Sequence, residues 1–175
     1  MKKLLAKILR LLLTPVRCGY ERRNGRQGQE ARKEVPNRVL LGLARDMVRE
    51  GHTATIPVKG YSMRPFLEHQ RDSVIVEAAT ELKVGDAVLA EIEPDWYVLH
   101  RIIAIEGDDI TLMGDGNIGC TESCKRQDVA GVVTHYIRPR RTILATDPKL
   151  QRRIQLWRKL MPIRRYLLFV YKAIV

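Results

Sequence analysis

Apolar residues change their spacing several times along this chain, and each change marks a segment. In residues 1–16 leucines and isoleucines surround a stripe of Lys3, Lys7, Arg10 and Thr14, the pattern of a basic amphipathic helix. Residues 17–36, with Arg22, Arg23, Gly25, Arg26, Gln27, Gly28 and Gln29, hold almost no apolar residues and no period, which predicts a flexible linker. Helical spacing returns over 37–52, where Val39, Leu40, Leu43 and Met47 recur, Asn37 is a plausible N-cap and Gly51 a C-terminal stop.

From Thr53 the period shortens. Apolar segments at 53–58, 73–78, 87–92, 97–105, 110–113 and 129–137 alternate with turn signals such as Gly85-Asp86, Glu93-Pro94-Asp95 and Gly107-Asp108-Asp109. Connections this short exclude helical crossovers, so residues 53–137 are expected to form an antiparallel β domain, a coiled sandwich or partly open barrel. The fold class is therefore mainly β, α+β overall once the flanking helices are counted. Residues 138–175 return to helical spacing, with Leu150, Ile154, Trp157 and Leu160 in one segment and Ile163, Tyr166, Leu167, Val170 and Ile174 in the next, broken at Pro162.

Charge sharpens this division. The 175 residues carry a formal net charge of +11, distributed in blocks: Lys and Arg outnumber Asp and Glu by 11 to 3 in residues 1–38 and by 11 to 1 in 138–175, whereas 39–137 hold 9 against 16. Two basic arms thus flank an acidic body, and their amphipathic pattern suits an anionic membrane surface better than nucleic acid. The longest uninterrupted apolar run in the first arm is Leu11-Leu12-Leu13. A spanning helix takes about 20 apolar residues and a secretory signal about 7 to 15, so peripheral attachment at the cytoplasmic membrane is expected. Three cysteines, Cys18, Cys120 and Cys124, are too few for a disulfide framework. No second Cys/His pair stands at ligand spacing beside Cys120 and Cys124, so neither metal nor other cofactor is expected.

Candidate chemistry centres on Lys59-Gly60-Tyr61-Ser62-Met63-Arg64-Pro65-Phe66-Leu67, where Gly60 and Pro65 constrain a bend that presents Ser62. A serine held this way acts as a nucleophile when a base and an oxyanion site are supplied elsewhere. Among His52, His69, His100 and His135, His100 is the best-placed base, lying in a strand apolar on both faces where burial favours neutral imidazole. Gly114-Asp115-Gly116-Asn117 reads as a tight turn carrying a carboxylate.

In this order, Gly60-x-Ser62-Met63-x-Pro65, Gly85-Asp86-x-Val88, Val98-Leu99-His100-Arg101-Ile102, Gly107-Asp108 and Gly114-Asp115-x-Asn117 resemble the serine peptidase superfamily that unites signal peptidases with self-cleaving repressor domains. Histidine at position 100, where the typical bacterial signal peptidase has lysine, resembles the endoplasmic reticulum and archaeal-like branch. The resemblance implies Ser62 as nucleophile, His100 as general base and Asp115 as the acid. The chain departs from the pattern in several places. The family's usual further acidic position after Gly-Asp-x-Asn is replaced here by a local stretch, 118–127, where Glu122 and Asp128 are only guesses for it. Gly60 stands where many signal peptidases carry a hydroxylic residue that helps hold the oxyanion, leaving more of that work to the Ser62 N–H, and Arg71-Asp72 replaces the first Gly-Asp. The implied function is a serine endopeptidase cleaving a signal, leader or precursor peptide at the membrane, with a self-cleaving regulator or a catalytically silent membrane-surface binding protein as alternatives.

Overall fold

The computed structural model describes residues 36–174; the expectations for the first arm and most of the linker lie outside the described residues. Helix α1 (Asn37–Arg49) leads into strands β1 (Ala54–Pro57), β2 (Ser73–Glu77), β3 (Ala87–Glu93), β4 (Trp96–Glu106), β5 (Asp109–Met113), β6 (Glu122–Lys125), β7 (Val129–Arg138) and β8 (Arg141–Leu144). Helices α2 (Pro148–Lys159) and α3 (Arg164–Ile174) follow, joined by a single 3-10 turn at Met161–Ile163.

All eight strands belong to one antiparallel sheet that does not close, in the order β1-β2-β7-β3-β4-β5-β6, with β8 also on β7. Strand β7 is the hub. Val132 pairs with both Glu77 and Val88, and His135 with both Ile75 and Leu144, so β2 runs along one edge while β3 and β8 share the other. Side chains alternate across such a strand, and β3 shows the consequence. Ala87 and Leu89 enter one core with α1, β1, β2 and α2, whereas Val88 and Ala90 enter a second with Ile102, Ile110, Leu112 and Cys124. Burial on both faces explains why 87–90 reads as a continuous apolar run.

Two strands escaped the hydrophobic pattern. In β6, Glu122-Ser123-Cys124-Lys125, Cys124 alone is buried, so no apolar run exists to be seen. Burial, with Asp128 nearby, pushes its thiol up to about 11, which makes Cys124 a core residue rather than a nucleophile. In β8, Arg141 and Thr142 are exposed, and the strand exists because β7 offers it an edge. The segment expected to be a helical tail from 138 therefore begins with the end of β7 and β8 and turns helical only at Pro148, where Asp147 caps α2 by accepting the Leu150 N–H at 2.9 Å.

Helix α2 buries Leu150 and Ile154 as the spacing suggested, whereas α1 and α3 bury different stripes. In α1 the inward residues are Leu41, Ala44 and Val48, while Val39, Leu43 and Met47 stay exposed. Pro36 occupies the cap position and Asn37 is already helical. Arg45 helps fix this rotation, reaching Glu91 Oε2 at 3.1 Å with its guanidinium 5.2 Å from the Tyr97 ring centre. In α3 the buried residues are Arg164 and Leu168, leaving Ile163 just before the helix, and Tyr166 and Val170 within it, exposed. No helix among the described residues is long and apolar enough to cross a membrane.

Candidate active site

Ser62 lies in the loop between β1 and β2, pinned from below by the buried side chains of Met63, Phe66 and Leu67. Gly60 adopts a φ of +97°, a conformation costly for other residues, and donates its N–H to His69 Nδ1 at 3.0 Å. The Arg64–Pro65 peptide is cis. The loop closes on itself through Arg64, whose guanidinium donates to Glu68 Oε2 at 2.7 and 3.0 Å, and through Asp72, which accepts the Glu68 N–H at 3.0 Å. Tyr171 of α3 donates to Glu68 Oε1 at 2.8 Å, tying the last helix to the serine loop.

Burial raises the Glu68 and Asp72 carboxyls, but hydrogen bonds from Arg64 and Tyr171 to the one, and from Arg71 and the Glu68 N–H to the other, more than offset it and leave both below the usual carboxylate range. A depressed folded-state value gives stability that is fully present above about pH 5 and lost as pH falls through about 4 and below. Urea unfolding at pH 6, 5, 4 and 3 is therefore expected to show falling stability, with a shallower fall in Glu68→Gln; an equal slope in both proteins would exclude this loop as a source of the acid sensitivity.

The Gly114-Asp115-Gly116-Asn117 turn presses directly on the serine. Gly116 donates its N–H to the Ser62 carbonyl at 2.7 Å. A Cβ on Gly114 would lie 2.5 Å from the Ser62 carbonyl oxygen, and one on Gly116 2.6 Å from that of Tyr61. Glycine is required at both positions because two backbones touch there.

Asp115 is buried, yet its carboxylate does not meet His100. It accepts two bonds from Arg101 Nε, at 2.8 and 3.0 Å, and a third from Nη2, while Arg101 Nη1 donates to the Gly85 carbonyl at 2.7 Å. Burial opposes charge on Arg101, but Asp115 and Tyr136 hold its guanidinium above its usual value. Trp157 of α2 donates to the Asp115 carbonyl at 2.9 Å. The sequence expectation of an Asp115–His100 pair thus differs from the geometry, and strand alternation is the reason. His100 and Arg101 are neighbours on β4 and point to opposite faces, so a carboxylate clamped on one cannot orient the other.

The carboxylate at His100 is Glu122, whose Oε2 lies 2.9 Å from Nδ1. Its register explains the meeting: Glu122 pairs with Leu112, and Leu112 with Ile102, two residues beyond His100 on the same face of β4. The His100 side chain is 7% exposed and that of Glu122 26%. An ionised carboxylate only accepts, so Nδ1 carries the proton in the neutral ring and Nε2 has its lone pair available. This is the tautomer that a general base at Nε2 requires. Asp128, the other acidic candidate, instead accepts the Lys125 N–H at 2.9 Å.

Ser62 is half-buried, and neither its hydroxyl nor its N–H is hydrogen-bonded within the described residues, His100 included. Two of the other histidines are otherwise engaged, His69 receiving the Gly60 N–H and His135 Nδ1 lying 2.9 Å from Thr134 Oγ1, and His52 is exposed. Among the described residues no group of His, Cys, Asp and Glu is arranged to hold a metal ion.

Ser62, His100, Asp115 and Glu122 all fall within a region that matches a known family. No curated protein matches the chain. The family match spans residues 15–133, well over half of the sequence, and on that extent the chain belongs to the Peptidase S24-like family.

Proposed function

We propose that this chain is a serine endopeptidase of signal peptidase type that cleaves a signal, leader or precursor peptide at a membrane surface. Ser62 is the nucleophile and His100 the general base; Glu122, rather than Asp115, orients the imidazole. Ser62 Oγ attacks the scissile carbonyl carbon as His100 Nε2 takes its proton, and the same nitrogen then protonates the leaving amine. Water, activated by His100 in its turn, hydrolyses the ester and frees Ser62. The Ser62 N–H, not hydrogen-bonded within the described residues, is a donor for the oxyanion where Gly60 offers no hydroxyl. The His100 Nδ1 to Glu122 contact at 2.9 Å carries this reading, because it fixes the basic tautomer; the serine loop is separately clamped to the Asp115 turn through the Gly116 N–H. Histidine as the base favours the endoplasmic reticulum and archaeal-like branch.

Membrane attachment in this reading is peripheral. Helices α2 and α3 bury Leu150, Ile154 and Leu168 in the body, so the second arm is not free. A second apolar set that includes Leu156, Tyr166 and Val170 remains exposed beside Arg152, Lys159 and Arg165, a combination suited to an anionic bilayer surface at the cytoplasmic membrane.

Comparison of new protein N-termini between wild-type and Ser62→Ala cells tests the activity and finds the substrate together. A set of N-termini that disappears in Ser62→Ala is expected; identical sets would overturn the endopeptidase reading. A cut confined to residues 17–36 of the chain itself, abolished by Ser62→Ala and seen by intact mass, would instead assign the self-cleaving regulator.

A further inference from the structure

A groove of about 850 Å³ opens between the β8 hairpin, α2 and the Pro65–Phe66 end of the serine loop. Its volume lies in the range of small-molecule sites. Phe66, Ile143, Leu150 and Trp157 give it an apolar floor. Four cations line it as well: Arg138, Arg141, Lys149 and Arg153.

Among the described residues this positive charge has almost no counterpart. Asp147, the one carboxylate in the lining, is spent on the α2 cap. Asp72, whose charge reaches Arg138, is held by two bonds from Arg71 at 2.8 Å. Arg138 donates from Nη2 to the Phe66 carbonyl at 2.8 Å, yet its Nε is buried with no hydrogen-bond partner among the described residues. Burial holds its guanidinium below the usual value, and Arg141, Arg71 and Arg153 lower it further against Asp72. A buried donor without a partner and mutually repelling cations around an apolar floor are both relieved by one kind of ligand, an anion with an apolar tail.

We propose that this groove binds one anionic phospholipid, its phosphate on Arg138, Arg141 and Arg153 and its acyl chain against Phe66, Ile143 and Trp157. The guanidinium groups match phosphate oxygens in geometry as well as charge. The proposal builds on the membrane part of the function above and not on the peptidase part. Because Pro65 and Phe66 belong to the serine loop, an occupied groove touches the segment that positions Ser62.

The full chain carrying Ser62→Ala and Trp96→Phe keeps Trp157 as its sole tryptophan, a reporter in the groove that is independent of turnover. It is titrated with dihexanoyl phosphatidylglycerol below its micelle concentration, with the phosphatidylcholine analogue and with inorganic phosphate. Saturable quenching or shift of Trp157 emission is expected, about tenfold tighter for phosphatidylglycerol than for phosphatidylcholine and weakest for phosphate. Arg141→Gln/Arg153→Gln, at exposed positions that fold without difficulty, is expected to weaken phosphatidylglycerol binding by about tenfold or more. Arg49→Gln/Lys83→Gln, which removes equal charge at exposed positions outside the groove, is expected to leave it unchanged. Equal affinity for the two lipids, equal loss in both double variants, or inorganic phosphate binding as tightly as the lipid would each overturn the proposal. Saturation by an apolar peptide with a free carboxylate, alongside silence toward phosphatidylglycerol, would assign the groove to peptide and overturn it too. Vesicle flotation that fails while the soluble lipid still binds would remove bilayer docking and keep the site.

Discussion

His100→Ala lowers cleavage of a co-expressed precursor by about ten-thousand-fold or more while the chain stays folded, the loss expected when one member of a serine–base unit is removed. Among the described residues the His100 side chain hydrogen-bonds to Glu122 alone, so its removal is expected to act on the chemistry first. Glu122→Gln is the sharper probe. The Gln amide can donate as well as accept, so it can turn His100 to the tautomer with Nε2 protonated, which cannot act as base. Glu122 is partly exposed and water can replace some of its function, so the expected loss is about 10- to 100-fold, in kcat rather than KM. Asp115→Asn, in chain that remains folded, is expected to cleave at near the wild-type rate. Turnover that survives Glu122→Gln unchanged but disappears in folded Asp115→Asn would restore Asp115 as the acid and remove Glu122 from the mechanism.

The second large effect is on stability. Arg101→Ala is expected to cost about 3–5 kcal/mol, because Arg101 and Asp115 are both almost fully buried and removing one leaves the other charge uncompensated. The damage spreads through named contacts: Gly85 loses its donor, Phe66 the cation above its ring at 5.4 Å, and Asp115 its restraint in the turn that presses on Ser62. Far-ultraviolet circular dichroism during urea unfolding measures this directly. Replacing both partners, as in Arg101→Met/Asp115→Leu, is expected to recover part of the loss, since no lone charge then remains buried. A single variant as stable as wild type would show that the pair makes no net contribution to folding.

These two predictions separate roles that adjacent residues and near-identical chemistry conflate. His100-Arg101 reads as one motif in the chain, and Asp115 as the nearest carboxylate in a family-like turn. Alternation along β4 divides the motif between two faces, one leading to Asp115 and a structural clamp, the other to Glu122. Glu122 was visible only as one of two acidic candidates in 118–128, because its strand has a single buried residue and no hydrophobic signal. The C-terminal helices were legible as helices, but not as the elements that bind Asp115 through Trp157 and Glu68 through Tyr171.

By itself the sequence determined the alternation of short strands, the break at Pro162, the bend at Ser62 and the placement of His100 on a buried strand, all of which rest on local sterics and on spacing along the chain. Tertiary structure decided which stripes of α1 and α3 turn inward, that β6 and β8 exist, and which carboxylate faces His100. Those outcomes depend on edges and faces supplied by residues distant in the chain. Pairing of Glu122 with Leu112 and Leu112 with Ile102 sets a register that no local pattern encodes, and that register brings an acid to the histidine.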